Sequence, residues 1–252
     1  MKIMMVTSSL DMGGAETHVV ELARALFRMG HEVLTVSAGG RLSPRLEREG
    51  IRHVSLPLDR RSPWCLLRSY RGLRRLIKRE RPDVIHAHTR PTAWLCAAPA
   101  RARGIPLVVS AHAHMRAGLR RYVSVWGDRT VAVSEDIRQR LMEAFGVSGE
   151  RITVIGNGID TVRFSPGERH EERQRVVFMS RLDGDCSFVA DLLCRIAPRL
   201  HKAFPRAEIL IAGGGERYRT LWRRANRVNE QIGSSVLRVL GGVDRVPALL
   251  RD

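Results

Sequence analysis

The amino-acid sequence predicts an α/β protein with a doubly wound, Rossmann-like parallel sheet and a second, smaller sheet of the same kind. Short apolar runs alternate with amphipathic helical segments from residue 3 to about residue 155. This alternation is typical of βα units in a parallel sheet. The pattern stops over residues 161–174 and starts again at Val176. We therefore expect two domains.

The first domain is predicted to alternate seven strands with helices. The run at residues 106–110 is nearly all apolar, as expected of a strand buried on both faces. Pro82 follows the long helical segment, and Gly104 follows the next one as a helix stop. The predicted strands are 3–6, 32–37, 52–56, 83–87, 106–110, 130–133 and 152–155, and the helices are 19–26, 43–49, 63–80, 91–103 and 135–145.

The second domain follows a segment with the composition of a linker. Ser165, Pro166 and Gly167 precede a charged run that starts at Glu168. Beyond them we predict strands 176–179, 208–211 and 236–240, helices 188–203 and 216–227, and a last helix that starts near residue 246. A parallel sheet covered on both faces normally has more strands than three. We expect a first domain over 1–164, a linker over 165–174 and an incomplete second domain over 175–252.

Composition and charge narrow the classes of function. No apolar run approaches the about 18 residues of a membrane span, and the chain passes from Lys2 directly into a strand without a visible secretory signal. The four cysteines lack C-x-x-C or metal-ligand spacing, which favours reduced thiols in a cytoplasmic protein. The net charge of +17 favours an anionic partner such as lipid or a phosphate-bearing substrate. Nucleic acid ranks last, because no aromatic stacking motif accompanies the charge.

A glycine pair lies between the first predicted strand and the first helix. Gly13 and Gly14 would aim backbone N–H groups and the positive end of a helix at an anion, with room for its close approach. The dinucleotide pattern G-x-G-x-x-G is absent. The alternative is a tight turn without a ligand, which any βα unit requires.

Several motifs, taken together and in order, resemble family 4 retaining glycosyltransferases of the GT-B fold. The resemblance covers essentially the whole chain, and it implies a complete N-terminal Rossmann-like domain and an incomplete second one. The motifs are GGAE at 13–16, DVIHAH at 83–88, VVSAH at 108–112, VSE at 133–135, IGNGID at 155–160, SRL at 180–182, IAGGG at 211–215 and LGG at 240–242.

The resemblance implies the reaction as well as the fold. Members of this family transfer a sugar from a nucleotide-sugar donor to an acceptor hydroxyl with retention of the anomeric configuration. We expect a UDP- or GDP-linked donor, a carbohydrate or lipid-linked acceptor, and a role in cell-envelope polysaccharide or glycolipid synthesis. The fold class requires no metal and no other cofactor to hold the donor.

The resemblance also assigns roles to individual residues. Gly13, Gly14 and Arg181 would bind the donor diphosphate, where a forked cation and backbone N–H groups stabilise the departing charge. His112 would lie beside the reacting sugar as a polar or acid–base contact. Further candidates are Gly213 and Gly215 in a donor nucleoside loop, and Glu16, His86 and His88 on the acceptor side.

Histidines at the strand ends raise the question of a metal. His86, His88, His112 and His114 follow or end two neighbouring predicted strands. No acidic ligand cluster accompanies them in the sequence, so we predict no metal site.

Two departures from the family pattern bear on activity. The Lys-Gly pair usually found five and six residues after the Arg181 position is replaced by Cys186 and Ser187, preceded by Asp183 and Asp185. These carboxylates would repel a phosphate unless they are paired. The family's acidic motif would fall beyond the last residue. We therefore expect a weakly active or inactive chain, and the alternative is a non-catalytic module that binds an anionic or sugar-phosphate partner.

Two basic segments indicate a membrane contact. Residues 63–79 form a predicted basic amphipathic helix that starts near Trp64, and residues 115–122 are also basic. Such helices can lie on anionic bilayers. The alternative is an outer helix whose apolar stripe packs on the sheet. We expect a cytoplasmic protein with peripheral contact at the inner face of the membrane.

Overall fold

The chain divides into two units, Met1–Ile159 and Asp160–Asp252. A computed structural model describes residues 1–60, 62–114, 124–167, 174–183, 187–243 and 245–251. Several predictions fall outside the described residues. These are the basic segment 115–122, the short helix expected there, the charged run 168–173, and the residues Asp185 and Cys186.

In the first unit, strands alternate with helices as the sequence predicts. The α-helices are α1 (Gly14–Arg28), α2 (Ser43–Arg48), α3 (Pro63–Glu80), α4 (Arg90–Arg101) and α5 (Glu135–Phe145). The strands are β1 (Lys2–Val6), β2 (Glu32–Ser37), β3 (Arg52–Ser55), β4 (Val84–Ala87), β5 (Leu107–Ala111), β6 (Arg129–Ala132) and β7 (Ile152–Val154).

The seven strands form one parallel sheet in the order β3-β2-β1-β4-β5-β6-β7. The chain winds in one direction from β1 to β3 and in the other from β4 onward. The doubly wound fold predicted from the sequence is therefore confirmed. In such sheets the ligand crevice lies outside the carboxyl ends of the strands where the order reverses, which here are β1 and β4.

Both faces of the first sheet are covered, and strand β1 shows why its sequence is apolar throughout. Met4 and Val6 belong to one buried cluster, which includes residues of α3, α4 and α5. Ile3 and Met5 point to the opposite face and belong to a second cluster, which includes residues of α1. Each such side chain contributes roughly 1.5–3 kcal/mol when it is fully buried.

Helix α3 packs its apolar stripe into the core. The Ser62 hydroxyl caps its start by accepting from the Cys65 N–H at 3.3 Å, and Pro63 occupies the first turn. Arg81 ends the helix in the left-handed conformation. The buried positions are Ser69, Leu73, Leu76 and Ile77, as expected of an outer helix on a sheet. Trp64 stays 80% exposed beside the basic side chains.

The second unit repeats the βα pattern on a smaller scale. Its elements are β8 (Gln174–Met179), α6 (Ser187–Ala203), β9 (Ala207–Ala212), α7 (Tyr218–Ile232), β10 (Leu237–Gly241) and α8 (Val246–Arg251). The three strands form a parallel sheet in the order β10-β9-β8, and the core is built from this sheet with α6 and α7. Among the residues that the structure describes, no helix is both long and apolar enough to cross a membrane.

Candidate functional site

The glycine pair lies at the N-terminus of α1, at the carboxyl end of β1. Gly13 is the N-cap residue in an extended conformation, and no side chain caps the helix there. The Gly13 carbonyl accepts the Thr17 N–H at 2.9 Å, which fixes the first turn. The N–H groups of that turn have no partner within the helix, and the helix dipole adds positive potential. The start of α1 thus has the arrangement of strand, glycine turn and helix that the sequence predicts.

Neither glycine of the pair is required by the fold itself. Neither backbone is in the left-handed region, and a Cβ at Gly14 would meet nothing within 4 Å. A Cβ at Gly13 would overlap only the Glu16 carboxylate, the far end of a flexible side chain. Gly14 therefore keeps space open beside the helix, whereas the space beside Gly13 holds the Glu16 carboxylate. An anion entering that space has to displace the Glu16 carboxylate, because like charges repel.

A further glycine, Gly40, which the sequence analysis missed, fixes the loop that leads to α1. Gly40 has a φ of +138°, and a Cβ there would overlap the backbone of Leu10 and Asp11. The two loops are joined by hydrogen bonds from Leu10 N–H to the Gly39 carbonyl at 2.7 Å and from Leu42 N–H to the Leu10 carbonyl at 2.8 Å. The signal available in the sequence was another Gly-Gly pair, Gly39-Gly40, which begins two residues after β2 ends.

The ends of β1 and β4 are joined by a hydroxyl network. Ser8 Oγ lies 2.9 Å from Thr89 Oγ1, which in turn lies 2.9 Å from Thr92 Oγ1. Thr92 also donates to the Thr89 carbonyl at 2.9 Å. This network holds the start of α4 against the loop after β1.

Four histidines gather at this edge of the sheet. His86 lies in β4, His88 follows that strand, and His112 follows β5. His18, which the sequence analysis did not single out, joins them from α1, with its ring centroid 4.9 Å from that of His112. His88 Nδ1 lies 3.3 Å from His112 Nε2, and His86 Nε2 lies 2.8 Å from Ser110 Oγ. The fourth histidine of the sequence analysis, His114, is exposed and bonds the Asp136 carboxylate instead.

Burial keeps this cluster uncharged. Desolvation lowers the pKa of His86 and of His112 to about 4 and lowers the pKa of His88 well below its usual value, while neighbouring imidazoles act in the same direction. The pKa of His18 is also lowered by desolvation. Among the described atoms, His88 Nε2 and His112 Nδ1 are buried without a hydrogen-bond partner. Each such atom costs about 1–3 kcal/mol unless a ligand satisfies it.

In the second unit, the predicted donor residues lie at the carboxyl ends of β8 and β9. Arg181 is exposed and follows β8. Gly213 and Gly215 have φ values of +149° and +148°, and a Cβ at either would overlap residues 180–183. These two glycines are therefore required by the close approach of two loops. Asp183 Oδ1 accepts a hydrogen bond from the Glu216 N–H at 2.7 Å.

Comparison with known proteins identifies the family. Residues 12–163 match the family model described as Glycosyltransferase Family 4. The chain belongs to glycosyltransferase family 4. The matched segment contains the glycine pair, the four clustered histidines and every strand of the seven-stranded sheet from β2 onward.

The curated relatives are longer than this family 4 chain. A subunit of the human phosphatidylinositol N-acetylglucosaminyltransferase is 27% identical over 223 residues, which are 81% of this chain and 46% of that protein. The phosphatidyl-myo-inositol mannosyltransferase of Mycolicibacterium smegmatis is 29% identical over 256 residues, which are 92% of this chain and 62% of that protein. The chain thus spans about half to two thirds of the length of these relatives.

Solved structures confirm the GT-B fold. A glycosyltransferase from Rickettsia africae superposes with a TM-score of 0.78 at 19% identity, covering 99% of this chain and 70% of that one. Anabaena HepE in complex with UDP-glucose superposes with a TM-score of 0.74 at 19% identity, covering 99% of this chain and 71% of that one. At this level of identity the likeness concerns the fold.

Proposed function

We propose that this family 4 chain takes part in transferring a sugar from a UDP- or GDP-linked donor to an acceptor hydroxyl, with retention of the anomeric configuration. One observation carries the proposal. The open helix N-terminus at Gly13 and Gly14 lies at the same edge of the sheet as the neutral histidine cluster. Anion binding and recognition of a polar, uncharged group are the two tasks that a nucleotide-sugar reaction requires there.

The backbone of α1 would bind the leaving diphosphate. The N–H groups after Gly13 have no partner within the helix, and together with the helix dipole they favour a group that gains negative charge as the glycosidic bond breaks. Arg181, in the second unit, keeps the role that the family resemblance implies, a planar and permanently charged fork for the donor diphosphate. The loops at Gly213 and Gly215 are assigned to the donor nucleoside. No metal is needed in this scheme.

His112 would act on the sugar rather than on the phosphate. Its pKa of about 4 leaves the imidazole neutral at physiological pH, so it can bind a sugar hydroxyl without adding charge. Its Nδ1 has no described partner, and a sugar hydroxyl would satisfy it. We assign Glu16, His86 and His88 to the acceptor side of the same crevice.

The acceptor is proposed to be a carbohydrate or a lipid-linked group used in cell-envelope synthesis. Two relatives are named for transfer to phosphatidylinositol or phosphatidyl-myo-inositol, and HepE was solved with UDP-glucose. A peripheral contact with the inner face of an anionic membrane belongs to this proposal. The exposed Trp64 beside the arginines of α3 supports it.

Nucleotide binding tests the proposed anion cradle at Gly13 and Gly14 directly. UDP, GDP and UDP-glucose are titrated into the wild-type chain, the Gly14→Ala variant and the Gly158→Ala variant by calorimetry. Gly158 is a matched control, because a Cβ there also meets nothing within 4 Å. We expect Gly14→Ala to weaken nucleotide binding about tenfold, because the added methyl group would hold the phosphate away from the backbone. The loss corresponds to roughly one charge-assisted hydrogen bond. Equal affinity in Gly14→Ala and Gly158→Ala would contradict the cradle.

Turnover tests the reaction itself. The chain is incubated with UDP- and GDP-sugars, and the release of the nucleoside diphosphate is followed with and without His112→Ala. The anomeric proton coupling of any product, measured by NMR, reports retention or inversion. Release that His112→Ala does not slow, or a product of inverted configuration, would refute the assigned mechanism.

A further inference from the structure

The imidazoles of His18, His88 and His112 form a compact set of three nitrogen donors. Each ring offers one nitrogen, and these three atoms lie within 4.8 Å of one another. We propose that they bind a single divalent cation of the Zn²⁺ class. The proposal rests on the arrangement of these rings and is independent of the sugar-transfer reaction.

The distances suit a tetrahedral site. Zinc–nitrogen bonds of about 2.0–2.1 Å place two ligand nitrogens roughly 3.3–3.4 Å apart on a tetrahedral edge. His88 Nδ1 and His112 Nε2 are 3.3 Å apart. His18 is the ring that would complete the set, by a shift of roughly 1–1.5 Å. It projects from a helix and is only half-buried, so a rotation of its side chain can supply that movement.

The donor chemistry selects the class of cation. An imidazole binds a metal in its neutral form, and burial keeps these three rings neutral. Imidazole nitrogen suits Zn²⁺, Co²⁺, Ni²⁺ and Cu²⁺, whereas Mg²⁺ and Ca²⁺ require oxygen ligands. The group that the described residues offer holds three imidazoles without a carboxylate, as in known three-histidine zinc sites. The sequence analysis predicted no metal because acidic ligands were missing, but a three-imidazole site requires none.

The competing interpretation is an imidazole pair joined by a hydrogen bond. A separation of 3.3 Å between His88 and His112 also fits an N–H···N bond. That interpretation requires no third ring, whereas a cation requires His18. A bound cation would also occupy His112 Nε2, the nitrogen that faces His88, beside the position proposed for the sugar.

Metal titration distinguishes the two interpretations. An untagged chain at neutral pH is titrated with Zn²⁺ by calorimetry, and Co²⁺ serves as a spectroscopic probe because tetrahedral Co²⁺ has intense visible bands. The variants are His18→Gln, His112→Gln and, as a matched control, His114→Gln. His114 is an exposed histidine paired with Asp136, so it controls for Zn²⁺ binding by a histidine outside the cluster. Thermal denaturation of the metal-free proteins confirms that each variant is folded.

We expect one Zn²⁺ per chain and a tetrahedral Co²⁺ spectrum. Loss of an outer-shell partner lowers metal affinity 10–100-fold, so loss of the ligand His18 or His112 should lower it at least about 100-fold. His114→Gln should leave the affinity unchanged. The proposal is overturned by an absence of saturable binding, by wild-type affinity in His18→Gln, by loss of binding in His114→Gln, or by sulfur-to-cobalt charge-transfer bands that report a cysteine ligand.

Discussion

Removing the Glu80 carboxylate should destabilise the first unit without touching the candidate site. Glu80 ends α3 and accepts hydrogen bonds from Lys2 Nζ at 2.8 Å and from both terminal nitrogens of Arg52 at 3.1 and 3.2 Å. Arg79 donates two further bonds to Glu80, from Nε at 3.0 Å and from a terminal nitrogen at 2.9 Å. The Glu80 side chain is only 7% exposed. Lys2 and Arg52 begin β1 and β3, so this carboxylate joins three elements at the edge of the sheet opposite the histidines.

The size of the effect follows from the pKa of Glu80. Hydrogen bonds from Arg52, and then from Lys2, lower this pKa from 4.5 to about 2. The full linkage energy of such a shift is about 3 kcal/mol. Arg52 and Arg79 are more than half exposed, and solvent screens their part of it. We therefore expect Glu80→Gln to lower the free energy of unfolding by about 1.5–2 kcal/mol at pH 7.

The stabilisation by Glu80 should depend on pH in one direction only. The folded-state pKa lies below the unfolded one, so the stabilisation is fully present above pH 4.5 and is lost as the pH falls toward 2. Urea unfolding of wild type and Glu80→Gln at neutral and acidic pH measures the difference, which should shrink as the pH falls. Glu143→Gln is the control, because Glu143 is an exposed carboxylate bonded only to Gln139 among the described partners. Equal losses in both variants, or a pH-independent difference, would refute the reasoning.

Three further predictions concern the loops, the second unit and the membrane. Gly40→Ala should lower the free energy of unfolding by on the order of 2–3 kcal/mol, since its φ of +138° and the adjoining loop exclude a Cβ; unchanged urea unfolding would contradict this. Asn229→Ala should destabilise the second unit by about 1–3 kcal/mol in thermal unfolding, because the buried Leu237 N–H and carbonyl lose their partners at 3.0 and 2.8 Å. Trp64→Ala should weaken salt-sensitive co-sedimentation with anionic vesicles, whereas Trp222→Ala, which removes an exposed tryptophan of the second unit, should not. Equal effects of these two substitutions would contradict α3 as the site of contact with the membrane.

The glycine pair shows how far sequence reasoning reaches. A strand, a glycine turn and an amphipathic helix are local patterns, so the position of Gly13 and Gly14 at a helix N-terminus was predictable. The structure adds that Gly14 is free of steric demand. By contrast, glycine is sterically required at Gly213 and Gly215, because loops from two strands meet there. The sequence alone does not distinguish a glycine that leaves space open from one that a close contact requires.

The sequence by itself determined the alternation of strands and helices, the parallel sheet and the strand ends that carry His86, His88 and His112. These features depend on periodicity and on turn residues within a few positions of one another. Only the tertiary structure decided which side chains meet. His18 reaches His112 across 94 residues of chain because β1 lies beside β4 and β4 beside β5, and α1 begins at that edge. His114, two residues past His112, bonds Asp136 instead. Contacts of this kind follow from strand order, and local patterns do not encode strand order.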